Sequence, residues 1–471
     1  AGLTAAFYLR KQGHTVTIFE AQSHAGGMMR YGIPAYRLPC DVVEKEIGEI
    51  LGLGIEFRPD QILGKDFTLD QLRADGYEAV FLGVGAQLSR RIPLEGCDLP
   101  DVLWGVDFLR QVAEGKEIRL KENVMVIGGG NVAVDVAMTA LRCGAQEVSM
   151  ACLECQEEMP ASPWELEGAV AEGVKVLPSL GPDKILSQNR QVTGMDLVEC
   201  TCVFDDQGNF CPQFNEDRKE CILVDQIILA IGQVSDLTFL EDGTPISVDR
   251  GLIVVDQDTL ETRMKGIYAG GDVAKVPGAI IHAIAAGRKA AVSIDKALGG
   301  AGDIEEVLFL RGMPDPHLGR DEGFAAWPRE SVPELDPAAR KQGFDEISKG
   351  YDDAQAMKEA SRCLQCDLRL YMGCNPAPPV SCLPFNEESI QQVPEAEGVF
   401  QLLDDEHNVL AIRGTANLRQ ELLDELDENE NAAMFEFEED KMYSKRESEL
   451  IQKYLQEHGQ MPGGDDDDDL F

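Results

Sequence analysis

The chain has no apolar run of about 18 residues, which is the length that a membrane-spanning helix needs. We therefore predict no membrane span. Basic residues are also scarce, because 42 lysines and arginines stand against 84 aspartates and glutamates, a formal net charge of −42. A field of this sign repels nucleic acid and anionic lipid, so we expect neither as a partner. The run Asp465–Asp469 is typical of a solvated, disordered tail.

A disulfide framework is missing too, since the 13 cysteines are irregularly spaced in a chain of 471 residues. This favours a reducing, cytoplasmic location with some cysteines reserved for metal. No signal peptide is visible, and because the chain opens inside a glycine motif we expect its true N-terminus to lie upstream. The length suggests about three domains, and a hydrophobic content of 44% allows substantial cores.

Residues 1–300 alternate short apolar runs with helical patterns and glycine-rich turns, which is typical of parallel α/β domains. The predicted strands are Thr15–Glu20, Ala79–Gly83, Asn123–Ile127, Glu147–Ala151, Gln226–Ala230 and Gly266–Ala269. Residues 301–345 are rich in proline, glycine and charge, and we predict a linker or a surface-hugging arm there.

The first glycine motif is only partly present. We interpret Gly2 as the last glycine of a G-x-G-x-x-G turn, followed by a helix over 3–12 and a strand that ends in Glu20. The glutamate carboxylate can accept hydrogen bonds from ribose hydroxyls, so this segment predicts a dinucleotide site. Taken alone, an ordinary strand–helix–strand unit with a surface glutamate remains the alternative.

The segment GGMMRYGIPAYRLP over 26–39 is a glycine-rich loop with two arginines. Glycine leaves backbone N–H groups free to approach a pyrophosphate or an aromatic cofactor closely, and Arg30 adds positive charge. The residues predicted to contact the cofactor here are Gly26, Gly27, Arg30, Gly32, Ile33 and Pro34.

This loop resembles the FAD-binding half of the glutamate synthase small-subunit family, which includes the flavin domains of dihydropyrimidine dehydrogenase and of bifurcating ferredoxin–NADP transhydrogenase. In that family the pattern GG-(L/M)-(L/M)-RYGIP-x-(F/Y)-RLP lies alongside the isoalloxazine, and an iron–sulfur domain precedes the FAD motif. The resemblance implies an α/β fold of two nested Rossmann-like domains, for FAD and NAD(P), of the pyridine-nucleotide disulfide oxidoreductase type.

The second glycine motif is complete. The apolar strand 123–127 leads into GGGNVAVD over 128–135 and then into a helix, so a pyrophosphate can lie on a helix N-terminus. The family carries GGGN-x-A-x-D here. The residues predicted to contact the nicotinamide dinucleotide are Gly128, Gly129, Gly130, Asn131, Val132 and Asp135.

The next strand leads to Leu153 and Glu154, where NADPH-preferring relatives place arginines. A carboxylate accepts hydrogen bonds from the ribose 2′-hydroxyl and repels a 2′-phosphate, so we predict NAD(H) over NADP(H), with Glu154 as a contact. Cys152 and Cys155 form a CxxC pair that raises a thioredoxin-reductase-like alternative. Because the pair follows the second glycine motif, we predict a packing role instead. We likewise predict packed thiols, not a metal site, for Cys200, Cys202, Cys211 and Cys221.

The flavin domain is predicted to close with the segment 266–287. A strand would deliver Asp272 to the ribityl or pyrophosphate region, and the helix that follows would direct its N-terminus at the flavin, where negative charge develops. For His282 a packing role is as open as a flavin contact. The segments 80–86 and 228–233 resemble the strands that cross between the two domains. The predicted contacts are Gly232, Gly271, Asp272, Ala279, His282 and Ala283.

A cysteine cluster follows the linker. Cys363, Cys366, Cys374 and Cys382 have the spacing C-x2-C-x7-C-x7-C, and soft thiolates suit an iron–sulfur cluster. The start resembles the RC-x-x-C opening of the family's N-terminal cluster motif, although the third cysteine expected near Leu370 is absent. We predict a [4Fe–4S] cluster, with a degenerate remnant or a structural zinc as alternatives.

The segments 397–405 and 409–419 resemble the core of a GIY-YIG nuclease, and residues 447–451 resemble its acidic helix. The two tyrosines of such nucleases are replaced by Phe400 and Ala411, and the acidic surroundings oppose DNA binding. We therefore predict a degenerate copy that serves as a docking module.

The predicted domain order places the NAD(P) domain inside a divided FAD domain. The FAD-binding domain comprises residues 1–90 and, after the NAD(P)-binding domain at 91–232, residues 233–300. The linker at 301–345, the cysteine cluster at 346–385, the GIY-YIG-like unit at 394–460 and the acidic tail at 461–471 follow.

The resemblance implies an FAD-dependent NAD(P)H oxidoreductase. Electrons would pass from the nicotinamide through the flavin to iron–sulfur centres of a partner subunit or to a ferredoxin. No side-chain acid or base is required, so we name no catalytic residue. A true glutamate synthase small subunit and a non-catalytic docking module are the alternatives.

Overall fold

The computed structural model describes residues 1–304, 327–362, 382–458 and 462, apart from 206, 208, 241, 242, 276, 277, 406 and 430. Its contacts divide the chain into two compact units. The first comprises Ala1–Phe309 with Ser331–Asp352, and the second comprises Leu310–Glu330 with Asp353–Phe471. None of the helices in the described ranges is long and apolar enough to cross a bilayer.

The first unit alternates strands and helices, as expected of an α/β chain. Its helices are α1 Gly2–Lys11, α2 Met28–Tyr31, α3 Cys40–Leu51, α4 Leu69–Ala74, α5 Gly105–Ala113, α6 Asn131–Arg142, α7 Pro163–Ala171, α8 Ile280–Ala297 and α9 Pro337–Arg340. Its strands are β1 Thr17–Phe19, β2 Glu56–Arg58, β3 Val80–Leu82, β4 Leu88–Ser89, β5 Val102–Trp104, β6 Asn123–Ile127, β7 Glu147–Ala151, β8 Lys175–Leu177, β9 Leu180–Gln188, β10 Gln191–Phe204, β11 Phe210–Ile222, β12 Gln226–Leu229, β13 Gln233–Val234, β14 Val248–Asp249, β15 Leu252–Ile253 and β16 Ile267–Ala269. Each predicted strand overlaps an observed one.

A five-stranded parallel sheet in the order β5-β12-β6-β7-β8 forms the middle of this unit. Its central strands are continuous apolar runs because both faces are covered. On one face α5 and α6 bury Phe108 and Val134. On the other face the antiparallel sheet β9-β10-β11 contributes Met195 and Leu197 to a second core. The ends of the parallel strands therefore sit on a rigid scaffold.

The segments on either side of this sheet in the chain form two smaller parallel pairs. Strand β1 pairs with β2, and β3 pairs with β16. Helix α1 packs against α8, where Ala290 and Ala291 are fully buried and allow close approach. The predicted crossing strands were partly wrong, because residues 80–82 belong to the parallel pair and residues 228–229 belong to β12 of the five-stranded sheet. Strands β4 and β13 pair with each other in antiparallel orientation.

Tyr36 anchors the glycine-rich loop over 26–39. It is 1% exposed, and its ring stacks with Phe344 at a centroid distance of 6.3 Å. The Arg142 guanidinium lies 4.0 Å from the centre of the Tyr36 ring and forms a two-pronged ion pair with Glu172 at 2.5 and 3.0 Å. Both charged side chains of that pair are 0% exposed. The Tyr36 carbonyl accepts the N–H of Ile347, so residues 331–352 lie on the first unit as an arm.

The second unit contains a small antiparallel sheet in the order β17-β20-β18-β19. Its elements are α10 Asp353–Ser361, β17 Leu383–Pro384, α11 Glu387–Ile390, β18 Gly398–Leu403, β19 Val409–Thr415, α12 Leu418–Glu428, β20 Met434–Glu439 and α13 Tyr443–His458. Phe400, Leu402 and Phe435 are fully buried in its core. Phe400, which we aligned with a nuclease tyrosine, therefore has a packing role. The sheet also begins before the predicted boundary at 394.

Candidate functional site

A continuous cavity of about 2500 Å³ in the first unit reaches both glycine motifs. Residues of β1 and β3 line part of it, among them Ile18 and Leu82. The predicted cofactor residues that line it are Gly2, Glu20, Gly26, Gly27, Gly32, Ile33, Gly128, Gly129, Gly130, Asn131, Val132, Asp135, Glu154, Gly232, Gly271, Asp272, Ala279 and Ala283. Three predicted residues, Arg30, Pro34 and His282, do not line it.

The first glycine motif places the N-terminus of α1 on the cavity wall. A Cβ on Gly2 would meet no heavy atom within 4 Å, so this position is open to the cavity. Gly271 has a φ of +77°, which a side chain would strain. A Cβ on Gly287 would lie 2.3 Å from the carbonyl oxygen of Ala1. The start of α1 thus offers uncapped N–H groups, the geometry that a pyrophosphate requires.

The loop over 26–33 adopts backbone conformations that depend on glycine. Gly26 and Gly27 have φ values of +129° and +54°. Arg30 differs from the expectation, because its guanidinium donates to Glu44 at 2.7 Å on α3 and its charge is compensated there. Pro34 is buried and its carbonyl accepts the N–H groups of Arg37 and Leu38, so it shapes the turn instead of touching the cavity. His282 is exposed on the first turn of α8.

Two carboxylates that line the cavity lie just beyond the carboxyl ends of parallel strands. Glu20 follows β1 and accepts the N–H of Gln22 at 2.9 Å, and Asp272 follows β16. Burial raises the pKa of Glu20 and also that of Asp272. Both carboxylates are half-buried and line the cavity, so their oxygens can accept hydrogen bonds from the hydroxyls of a ribose or a ribityl chain. These positions therefore fit FAD.

The second glycine turn is tightly constrained. Gly128 has a φ of +144°, and a Cβ there would lie 2.3 Å from the carbonyl oxygen of Ala230. A Cβ on Gly129 would lie 2.8 Å from the Glu154 carboxylate. Gly130 is the N-cap of α6 and provides no side-chain cap, so the first N–H groups of this 12-residue helix are left for a ligand. The turn fits the pyrophosphate of a second dinucleotide.

Two polar residues of this motif have partners within the protein. The Asn131 amide oxygen accepts the N–H of Ser162 at 2.8 Å. The Asp135 carboxylate forms an ion pair with Arg37, which also contacts Glu165 at 3.0 Å. Asp135 is 8% exposed, and burial raises its pKa to about 7. Both residues line the cavity, but the Asn131 side chain binds Ser162 and the Asp135 side chain binds Arg37.

Glu154 lies just beyond β7, on the cavity wall beside the glycine turn. Its carbonyl accepts the N–H of Ser179 at 2.8 Å, which fixes its backbone. Cys152, two residues earlier, is buried, and burial raises the pKa of its thiol to about 12. A thiol with so little thiolate is a poor nucleophile, which supports the predicted packing role.

The other cysteine predictions have mixed outcomes. Cys200 is buried, as expected of a packed thiol, but Cys202, Cys211 and Cys221 are exposed on the antiparallel sheet. Three residues of the predicted cluster, Cys363, Cys366 and Cys374, lie outside the described residues. Cys382 is half-buried, and burial raises the pKa of its thiol. Among the residues that the structure describes, no group of three or more His, Cys, Asp or Glu is arranged to hold a metal ion.

Sequence reasoning missed one wall of the cavity. Leu180, Pro182, Phe210 and Phe214 line it beside Glu154. These residues come from β9 and β11, and nothing in the local sequence marks them as ligand contacts. Arg90 and Arg91 also line the cavity, and the Arg91 guanidinium lies 4.1 Å from the centre of the Trp104 ring.

Residues 1–287, which are 287 of the 471 residues, match the model of the pyridine nucleotide-disulphide oxidoreductase family. The chain belongs to this family. A structure of Mycobacterium tuberculosis FprA in complex with NADPH covers 63% of this chain and 82% of its own, with a TM-score of 0.54 and 19% identity. That likeness concerns the fold, and it confirms the predicted nested α/β architecture.

Curated relatives agree with the resemblance seen in the sequence. The NADP(+)-dependent formate dehydrogenase subunit beta of Moorella thermoacetica is 37% identical over 78% of this chain and 53% of its own length. The glutamate synthase [NADPH] small chain of Azospirillum brasilense is 31% identical over 62% of this chain and 64% of its own length. The chain thus spans between about half and two thirds of these relatives. The matches support an FAD site and an NAD(P) site in this oxidoreductase.

The small C-terminal unit matches a different family model. Residues 382–458 match a domain of unknown function (DUF7508), whose description names no activity. The resemblance to a GIY-YIG core therefore stays a prediction without support from this comparison.

Proposed function

We propose that this oxidoreductase binds FAD at its first glycine motif and a nicotinamide dinucleotide at its second, and that it passes electrons from the nicotinamide through the flavin to a partner. The observation that carries the proposal is that both glycine turns open into one cavity. Two dinucleotides held on the N-termini of α1 and α6 would extend toward each other inside it. When bound, the two cofactors supply the redox chemistry themselves.

The protein's role is to bind the two cofactors and to orient them relative to each other. Gly2 and Gly128 let backbone N–H groups approach phosphates, while Glu20 and Asp272 accept hydrogen bonds from sugar or ribityl hydroxyls. The Arg37–Asp135 ion pair and the hydrogen bond from the Tyr36 hydroxyl to the Asp135 carbonyl join the glycine-rich loop over 26–39, here called the flavin-side loop, to α6. This connection supports a fixed distance between the two sites, on which the rate of transfer depends.

We propose that NADH is preferred over NADPH. The support is the carboxylate of Glu154 beside the turn, since a carboxylate favours a free 2′-hydroxyl and repels a phosphate. The two curated relatives carry NADP(+) or NADPH in their names. The choice of coenzyme in this chain is therefore a point at which we expect it to differ from them.

We further propose that the electron acceptor is an iron–sulfur centre of a partner subunit, with a ferredoxin as the second candidate. The curated relatives are named as a subunit and as a small chain, which supports a multi-subunit assembly. The cysteine spacing from Cys363 to Cys382 supports a [4Fe–4S] cluster on this chain. The glutamate synthase small chain among the relatives supports a second candidate function, in which the partner is a glutamine-dependent large subunit.

The test uses the full-length protein, purified under anaerobic conditions and loaded with FAD. NADH is added stepwise while the flavin absorbance is followed, and iron is measured in the same sample. We expect the yellow colour to bleach with one equivalent of NADH. A flavin that keeps its colour with both NADH and NADPH would overturn the proposal and favour a non-catalytic docking module. Co-purification of a glutamine amidotransferase subunit would favour the glutamate synthase function.

A further inference from the structure

We propose that Phe214 on β11 is the platform on which the adenine ring of the nicotinamide dinucleotide stacks. This inference rests on the proposed function, because it concerns the coenzyme of the second glycine turn. It adds a recognition residue from the antiparallel sheet, which neither glycine motif contains.

A series of backbone hydrogen bonds connects Glu154, whose carboxylate we expect to bind the ribose, with the strands next to Phe214. The carbonyl of Glu154 accepts the N–H of Ser179, and the carbonyl of Ser179 accepts the N–H of Cys200, each at 2.8 Å. Cys200 on β10 is in turn the register partner of Phe214 on β11. The position of Phe214 relative to Glu154 is therefore set by paired strands and not by a loose loop.

Side chains complete the connection. A Cβ on Gly181 would lie 2.6 Å from Cε1 of Phe214 and 2.8 Å from Cδ2 of Leu153. The edge of the phenyl ring and the Leu153 side chain thus both lie against Gly181, which is buried. Leu153 precedes Glu154 in the chain. The Phe214 ring therefore lies close to Leu153, the neighbour in the chain of Glu154, which we expect to hold the adenosine ribose.

Phe214 is a partly exposed aromatic residue on the wall of the cavity. It is 39% exposed, it lines the cavity together with Gly129 and Glu154, and the strand around it is mainly polar. Exposed aromatic surface on the wall of a binding site is stabilised when a planar group covers it. The wall continues with Leu180 and Pro182, which are apolar as well.

The anatomy of the coenzyme determines which group reaches this wall. With the pyrophosphate on the Gly128–Gly130 turn and the ribose beside Glu154, the next group outward is the base. Adenine offers a π face that can stack on an aromatic ring. The redox end of the coenzyme extends in the opposite direction, toward the flavin-side loop. The wall formed by Leu153 and Phe214 therefore fits adenine and not nicotinamide.

The experiment separates the adenosine half from the redox half of the coenzyme. The full-length, FAD-loaded protein is compared with Phe214→Ala, Phe214→Tyr and the control Phe204→Ala. Phe204 lies on the same hairpin, is 47% exposed and does not line the cavity. Binding of ADP-ribose is measured by calorimetry, and flavin bleaching is measured with NADH and with reduced nicotinamide mononucleotide, which lacks the adenosine.

We expect Phe214→Ala to weaken ADP-ribose binding and to raise the NADH concentration that gives half-maximal flavin reduction by roughly 5- to 150-fold, the loss typical of one base–aromatic stack. The limiting rate of flavin reduction by NADH and the rate with the mononucleotide should stay unchanged. Phe214→Tyr should restore binding because it keeps the ring, and Phe204→Ala should behave as the wild type.

Two results would distinguish failure of this inference from failure of the proposed function. If NADH bleaches the flavin and Phe214→Ala binds ADP-ribose within about twofold of the wild type, the platform is wrong and the proposed function stands. An equal loss with the mononucleotide would show a general structural role and would also overturn the platform. If NADH never bleaches the wild type but Phe214→Ala still weakens ADP-ribose binding, the platform stands and the proposed function fails.

Discussion

Replacing Glu154 with arginine should convert an NADH-preferring protein into one that prefers NADPH. The Glu154 carboxylate lies beside the glycine turn, 2.8 Å from where a Cβ of Gly129 would be, and its backbone is fixed by the hydrogen bond from Ser179. The side chain therefore faces the position at which a ribose 2′-oxygen follows a pyrophosphate.

The size of the effect follows from the hydrogen bond that is exchanged. A hydrogen bond to a charged group contributes about 1.5–3 kcal/mol, and about 1.4 kcal/mol corresponds to a factor of ten. The wild type should therefore favour NADH by roughly 10- to 150-fold in kcat/KM. NADPH lacks the 2′-hydroxyl and carries a phosphate that the carboxylate repels. Glu154→Gln should remove most of the preference, and Glu154→Arg should invert it.

The assay is steady-state oxidation of each coenzyme over a range of concentrations, with ferricyanide as the electron acceptor, in the same FAD-loaded preparation. Glu158→Arg serves as the matched control, because it makes the same change of charge in an exposed position nearby that does not line the cavity. It should leave the ratio unchanged. Equal kcat/KM values for the two coenzymes in the wild type, or an identical ratio in Glu154→Arg, would refute the reasoning.

Three further predictions concern stability and thiol chemistry. Glu172→Gln should lower the free energy of unfolding by about 3–5 kcal/mol, since it leaves the buried Arg142 charge unpaired; denaturant unfolding measures this, and a loss below about 1 kcal/mol would contradict it. Cys152 should resist alkylation at neutral pH far more than the exposed Cys221, because burial shields its thiol and raises the pKa of that thiol to about 12; mass spectrometry of native protein that found both equally modified would disprove this. The hydrogen bond from His14 at 2.7 Å lowers the pKa of the Asp295 carboxyl below its unfolded value of 3.8. The contribution of this bond to the stability of the fold is therefore present above pH 3.8 and is lost as the pH falls through the lowered pKa. Asp295→Asn should therefore be less stable than the wild type at neutral pH, and the difference should shrink in acid; a difference that does not change with pH would exclude this linkage.

The residues that hold the backbone in unusual conformations were predictable from the sequence. Gly26, Gly27 and Gly128 have positive φ values, and each stands in a glycine-rich motif that was identified in the sequence. The strands β6 and β7 have the predicted bounds. For β6 the reason is its continuous apolar run, which is typical of a buried parallel strand. Local periodicity and the special chemistry of glycine were sufficient in these cases.

Charged side chains were predicted less well. Arg30 was expected to face a cofactor, but it pairs with Glu44 on the following helix. Asp135 was expected to contact the coenzyme, but it pairs with Arg37, which lies far away in the sequence. Whether a charge faces a ligand or another side chain depends on which elements pack together, and a single sequence does not contain that information.

The sequence by itself determined the glycine turns, the order of strands and helices, and the acidic residues at the ends of strands, because these follow from backbone sterics and from short-range periodicity. The tertiary structure alone decided how Tyr36 anchors the flavin-side loop, where Arg37 finds its partners and how Phe214 reaches the wall beside Glu154. Those arrangements depend on strand register and on helix packing between distant segments, and burial then fixes which polar groups must pair.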